Sequence, residues 1–218
     1  SITLSLSLIS FILLLLSVFL GGTSLWKDID RRYTFSVLGL PISRSRYMLG
    51  KFTAISLFIF LTSIVLGIAA ALVVFYSSTL YPPDRPIVWI NLVLFIVFDA
   101  MKYTLLIAFA FLFSTVSTSF FLPVFGTIAI FFAGGITQQV FEFINSASGK
   151  MLRPFVRGVA TGFYYILPNF KSFDLKVNVI YGLPPSVSGL LLTSAYFLIY
   201  SVVLLSLSSM LFSRREMR

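Results

Sequence analysis

Apolar residues run in five long blocks, at 2–21, 52–76, 89–113, 120–138 and 187–212, separated by more polar stretches. A hydrocarbon core about 30 Å thick takes about 20 helical residues to cross, so each block predicts one transmembrane helix. The polar interruption between the first two blocks, 24–50, has a pattern of its own. Trp26, Ile29, Tyr33, Val37 and Leu40 recur at steps of three and four while Lys27, Asp30, Arg31 and Thr34 fall elsewhere, which predicts an amphipathic helix lying on a surface. Gly39 and Pro41 end that helix, because Gly accepts a left-handed backbone and Pro cannot continue the hydrogen-bond ladder. A second helix then starts near Ser43 and runs into the membrane.

The remaining connections differ in character. Pro82, Pro83 and Pro86 make 77–86 a stiff turn. The short link 114–119 is rich in Ser and Thr, whose hydroxyls can satisfy freed backbone groups. The segment 139–186 is longer than a connection requires. Over 149–166 it carries Lys150, Arg153 and Arg157 at steps of three and four, with Phe155, Val159, Gly162 and Phe163 off that stripe. That predicts a helix lying in the membrane interface with one basic and one apolar face. Pro168, Pro184 and Pro185 break the chain before the last block. The expected fold is all-α: a polytopic membrane protein forming a single transmembrane domain over 1–218.

Composition supports this class. Of 218 residues 58% are hydrophobic and only 11% charged, where soluble domains carry about 25% charge. The net charge of +9 then points to Lys and Arg that fix orientation and touch anionic membrane lipids, and not to nucleic acid. Lys27, Arg31, Arg32, Arg44, Arg46 and Lys51 place 24–50 on the cytoplasmic side, and Arg214, Arg215 and Arg218 place the C-terminal tail there too. The segment 139–186 is then external; its own basic residues run against this, but loop length and an odd number of spans outweigh them. Residues 1–22 carry no charge and no basic start, so the first block is read as a span and not as a signal peptide.

Few residues offer chemistry. The chain has no Cys and no His, which removes disulfides, thiol nucleophiles, zinc-type clusters and imidazole bases together. It has no Gly-x-Ser-x-Gly elbow, and Gly50-Lys51 lacks the upstream glycine and following Ser/Thr of a phosphate loop. No catalytic residue, metal site or bound cofactor is therefore expected on this chain. Asp99 and Lys102 lie three apart in the third block and share a helix face. A lone mid-membrane charge costs about 2.5–3.5 kcal/mol, so these two line a translocation path, meet a second subunit, or pair with each other to fix packing. Gln138, Gln139 and Glu142 at the outer end of the fourth block either line an exit or are simply solvated. Gly134-Gly135 just before them can kink or interrupt the helix.

One stretch resembles a known family. Arg31, Tyr33-Thr34, Val37-Leu38, Leu40-Pro41-Ile42-Ser43-Arg44, Tyr47 and Leu49-Gly50-Lys51, after an acidic start at Asp28 and Asp30, are similar to the signature of ABC-2 type transporter permeases. Tyr164-Tyr165-Ile166-Leu167-Pro168-Asn169 resembles a segment before the last span in the branch that includes the nitrous-oxide-reductase maturation permeases. The resemblance implies a permease subunit in the bacterial inner membrane, driven by a separate ATPase subunit that binds the ATP and Mg. It implies a homo- or heterodimer of permease subunits, with room for an accessory subunit outside the membrane. The six spans usual in the family imply one more span ahead of Ser1. It also makes the surface helix a coupling helix, with Asp28, Asp30, Arg31, Arg32, Tyr33, Thr34, Val37, Leu38, Pro41 and Arg44 as the ATPase-docking residues. Lys150, Arg153 and Arg157 are the expected basic face of the outer interfacial helix. The alternative of another class is a secondary transporter or membrane scaffold that works without an ATPase, although no pair of repeated halves is evident.

Overall fold

The computed structural model describes residues 2–30, 43–80, 87–146 and 153–214, and for Ile29 and Asp30 the backbone alone. Every regular element in these residues is helical. Helix α1 (Ile2–Leu16) passes through a π-helical turn, Ser17–Gly21, into α2 (Gly22–Asp30). Then come α3 (Arg44–Leu80), α4 (Trp89–Val116), α5 (Phe121–Asn145) and α6 (Pro154–Ile166). A 3-10 turn (Phe170–Phe173), α7 (Lys176–Tyr181) and α8 (Val187–Arg214) complete the order. Five helices are long and apolar enough to cross a membrane: α1–α2 taken together, α3, α4, α5 and α8. The chain is a multi-pass membrane protein.

Helix α4 is the axis of the bundle. In its most apolar window 72% of residues are buried, against 33% or less in each of the other four spans. Its neighbours are α3, α5, α8 and the π-helical turn, with α2 beyond. Small residues set the close approaches. On α3, Ser63, Gly67 and Ala70 fall on the buried face, and the Ser63 hydroxyl donates to the Ile96 carbonyl of α4 at 2.9 Å. A Cβ added at Gly21 would sit 3.1 Å from the Ala110 Cβ of α4, so the π-helical turn crosses α4 at a glycine.

Several boundaries differ from those the sequence predicts. The first helix does not stop at Gly21: the α1–α2 span continues to Asp28 and the helix to Asp30. Trp26 therefore belongs to its last turns and does not open a separate surface helix. Leu25 in that extension is fully buried and the Trp26 ring packs 5.9 Å from Phe120, so tertiary contact carries the helix past the apolar block. The rest of the expected coupling helix, 31–42, lies outside the described residues. Helix α5 likewise runs on to Asn145, with Ile144 buried and Phe141 stacked on Tyr164 at 4.1 Å.

The outer helix is shorter than expected. It begins at Pro154, and Arg153 before it is extended (φ −56°, ψ 139°), as a residue preceding proline prefers. Lys150 lies outside the described residues, and of the expected basic stripe only Arg157 sits within the helix. No residue of α6 is buried. Between α4 and α5 the Ser/Thr link behaves as expected: Ser117 Oγ donates to the Ser119 carbonyl at 2.5 Å, and Ser119 Oγ accepts from Phe121 N–H at 3.3 Å.

Candidate functional site

Polar side chains gather at three levels of the bundle. At one end, the last turns of the first helix meet the first turns of α3. The Asp28 carboxylate accepts a hydrogen bond from the Tyr47 phenol and pairs with the Lys51 ammonium, which also donates to the Ser24 carbonyl at 2.8 Å. Tyr47 and Lys51 are four apart on α3 and so present a donor pair on one helix face. The start of α3 is tied in turn to the end of α8, through Ser209 and Ser45 hydroxyls 2.7 Å apart and the Arg44 guanidinium 3.4 Å from the Ser213 carbonyl. These contacts clamp both ends of 31–42.

Two of the expected docking residues have side chains among the described residues. The Asp28 side chain is 18% exposed and turned into the clamp, and Arg44 reaches back to α8. The remaining docking residues, Arg31, Arg32, Tyr33, Thr34, Val37, Leu38 and Pro41, lie outside the described residues, as does the Asp30 side chain. In the sequence, the i,i+4 spacing of Tyr47 and Lys51 after an acidic residue is the signal for this clamp.

In the middle of the bundle Asp99 and Lys102 pair with each other on α4. Asp99 is fully buried and Lys102 is 6% exposed. Ser10 of α1 donates to the second carboxylate oxygen at 3.0 Å, and the Lys102 ammonium lies 4.5 Å from the centre of the Tyr103 ring. Of the three roles the sequence left open, the geometry is that of an ion pair satisfied within the chain, with a hydroxyl from a second helix completing it. The Ser10 hydroxyl ties α1 to α4, because separating them would leave one oxygen of a buried carboxylate without its donor.

At the other end, the segment after α6 folds back between the helices as a plug. Phe170, Phe173 and Val179 are buried, and Phe170 packs 6.2 Å from Phe131 on α5. Asn91 at the start of α4 donates to the carbonyls of Asn178 and Leu183 at 2.9 and 3.0 Å. Helix α7 ends at Gly182, which takes the left-handed conformation (φ 65°) that lets Leu183 N–H return to the Asn178 carbonyl. Gly134 is where the plug is seated. A Cβ there would lie 2.5 Å from the Pro168 carbonyl oxygen and 2.7 Å from the Phe170 ring. The Gly134-Gly135 pair could kink or interrupt the helix; α5 runs through it without a break. A close backbone approach explains Gly134; Gly135 faces open space.

Gln138, Glu142 and Asn169 form a relay beside this seat. Gln138 Nε2 donates to Glu142 at 2.9 Å, and Asn169 Nδ2 donates to Gln138 Oε1 at 3.0 Å. The Asn169 backbone N–H donates to the Tyr196 phenol oxygen of α8 at 3.1 Å. Gln139 is exposed and takes no part. Asn169 could not be picked out by spacing, being 31 positions from its partner. Arg153 and Arg157 are exposed at the start of α6.

Among the described residues no three His, Cys, Asp or Glu side chains come together as a metal site would need. Compared with protein-family models and with curated proteins, the sequence matches none of them.

Proposed function

We propose that this chain is the membrane-spanning permease subunit of an ATP-binding cassette transporter, moving a substrate across the membrane with ATP hydrolysed by a separate ATPase subunit. The observation that carries the proposal is the clamp of Asp28, Tyr47 and Lys51. It ties two spanning helices together at the two ends of 31–42, the stretch whose residues resemble the ABC-2 coupling signature. A segment pinned at both ends to long helices passes a push from a docked partner into those helices, and α3, about 55 Å long, is stiff enough to carry it across the bilayer. Asp30, Arg31 and Arg32 supply charge of both signs within three residues, which suits a complementary groove on a protein better than an anionic lipid surface.

Two such subunits enclose the path, the ATPase carries the phosphate loop and the Mg, and the inner membrane of a bacterium is the location that fits the family. Joint charge reversal at Asp30, Arg31 and Arg32 is expected to abolish retention of the ATPase when this chain is isolated from membranes. Retention at the unsubstituted level would count heavily against the proposal.

A further inference from the structure

The first turns of α3 and the second half of α8 leave between them a groove of about 460 Å³. Leu49, Val202 and Met210 in its walls are exposed, so it opens sideways towards the bilayer. From Val202 to Ser213 it follows α8 for about 16 Å, close to half of a hydrocarbon core about 30 Å thick. Its character changes along that length. Val202 and Leu205 make the deep end apolar, and Ser206, Ser209 and Ser213 bring hydroxyls towards the other end.

Two arginines stand at the hydroxyl end. Arg46 is one turn before Leu49 on α3, and Arg214 is one turn after Met210 on α8 and next to Ser213, so each extends one wall of the groove. Both are exposed. The Arg44 guanidinium, 3.4 Å from the Ser213 carbonyl, ties the two helix ends together there. Among the described residues no acidic side chain lines the groove, and Asp28 at the same end of the bundle is turned to Tyr47 and Lys51.

Apolar, then hydroxyl, then guanidinium is the order of a phospholipid met from its acyl chain to its phosphate. An arginine fork matches two phosphate oxygens, and the exposed Ser206 hydroxyl can donate to an ester oxygen. A head that also carries an ammonium would set a further positive charge beside the two guanidiniums, so a net negative head is favoured. Spread over its length, the groove has a section of about 30 Å², room for a hydrocarbon chain but not for a helix about 10 Å across.

We infer that this groove binds a phospholipid with a net negative head, its phosphate between Arg46 and Arg214 and one acyl chain along Leu205 and Val202. The bound lipid joins the start of α3 to the end of α8. The inference needs only that the chain spans a bilayer, so it stands or falls separately from any ATPase partner.

The test is native mass spectrometry of the complex this chain forms in its membrane, after exchange into nanodiscs holding equal phosphatidylglycerol and phosphatidylethanolamine. Retention of the glycerol lipid is expected to exceed that of the ethanolamine lipid more than tenfold, about fivefold for each arginine. Arg46→Gln and Arg214→Gln, both at exposed positions, should each lower the preference about fivefold and together bring it to parity. Arg153→Gln with Arg157→Gln removes as much charge on α6 and should leave the preference unchanged. Ser206→Trp fills the groove while keeping every charge, and should displace the retained lipid. Equal retention of the two lipids by the unsubstituted chain would overturn the inference. So would a glycerol-lipid preference that survives Ser206→Trp, or one lost as fully on substituting Arg153 and Arg157. Retention of neither lipid, with Ser206→Trp separating two copies of this chain, would give the groove to a second copy and overturn it as well.

Discussion

The Asp28 carboxylate, at the end of the first helix, accepts the Tyr47 phenol from 19 positions further along the chain, across the whole of 31–42. The same carboxylate pairs with Lys51, one turn along α3. One acidic side chain thus holds the base of the segment proposed to meet the ATPase. Tyr47→Phe is expected to lower stability by about 1.5 kcal/mol, the scale of a hydrogen bond to a charged group, and Asp28→Ala by about 2 kcal/mol because it also leaves Lys51 half-buried and unpaired. Thermal unfolding of the purified protein in detergent checks both. If the clamp also transmits the push, Asp28→Ala lowers transport more than it lowers ATPase retention.

Asp99 and Lys102 lie where removal of either alone is most damaging. Asp99→Ala strands a buried ammonium and is expected to cost about 3–5 kcal/mol, whereas Asp99→Leu with Lys102→Leu removes both charges and comes out near neutral or better. Unfolding midpoints of the two variants distinguish this from a role in the substrate path. A double variant that is stable but inactive in transport would assign the pair to the path.

Adjacent glycines on α5 give opposite predictions. Gly134→Ala drives a methyl group into the Pro168 carbonyl, a backbone atom that cannot step aside without moving the plug. Hydrogen exchange over 168–181 should rise in that variant. Gly135→Ala meets open space and should stabilise the helix by up to about 1 kcal/mol, the usual gain of alanine over glycine there.

Asn91 gives a complementary check from the other side of the plug. Asn91→Leu keeps the size of the side chain but removes one of the donors to each of the Asn178 and Leu183 carbonyls and with it the tie between α4 and α7, and should raise exchange around α7 while leaving the clamp unchanged.

The five spans were legible because a bilayer demands length and apolarity of every crossing helix, and both are written along the chain. Which span is central was not legible. Helix α4 has a mean hydropathy of 2.1 in its best window, below the 2.8 of α3, yet it is by far the more buried. Hydropathy measures fitness for an apolar surrounding and does not distinguish lipid from protein. The polar residues spread around α4, namely Asn91, Asp99, Lys102, Thr104 and Ser114, were the better sign, since each needs a protein partner. Of the basic stripe at 150–157, Arg153 stands before α6 for a local reason, since Pro154 makes it extended, and Lys150 lies outside the described residues. The Gln138–Glu142 spacing was readable as one turn, but Asn169 reaches Gln138 only through the plug, whose path depends on Gly134.

The most direct test of the permease proposal is to isolate this chain by an affinity tag from its native membrane in mild detergent and identify what accompanies it. The expected result is a stoichiometric protein carrying a phosphate loop, with ATPase activity that falls when Arg31 or Arg32 is reversed in charge. Recovery of this chain alone, or only with further copies of itself, would contradict the proposal. The clamped segment would then be a surface anchor, and a transporter or scaffold working without an ATPase would take its place.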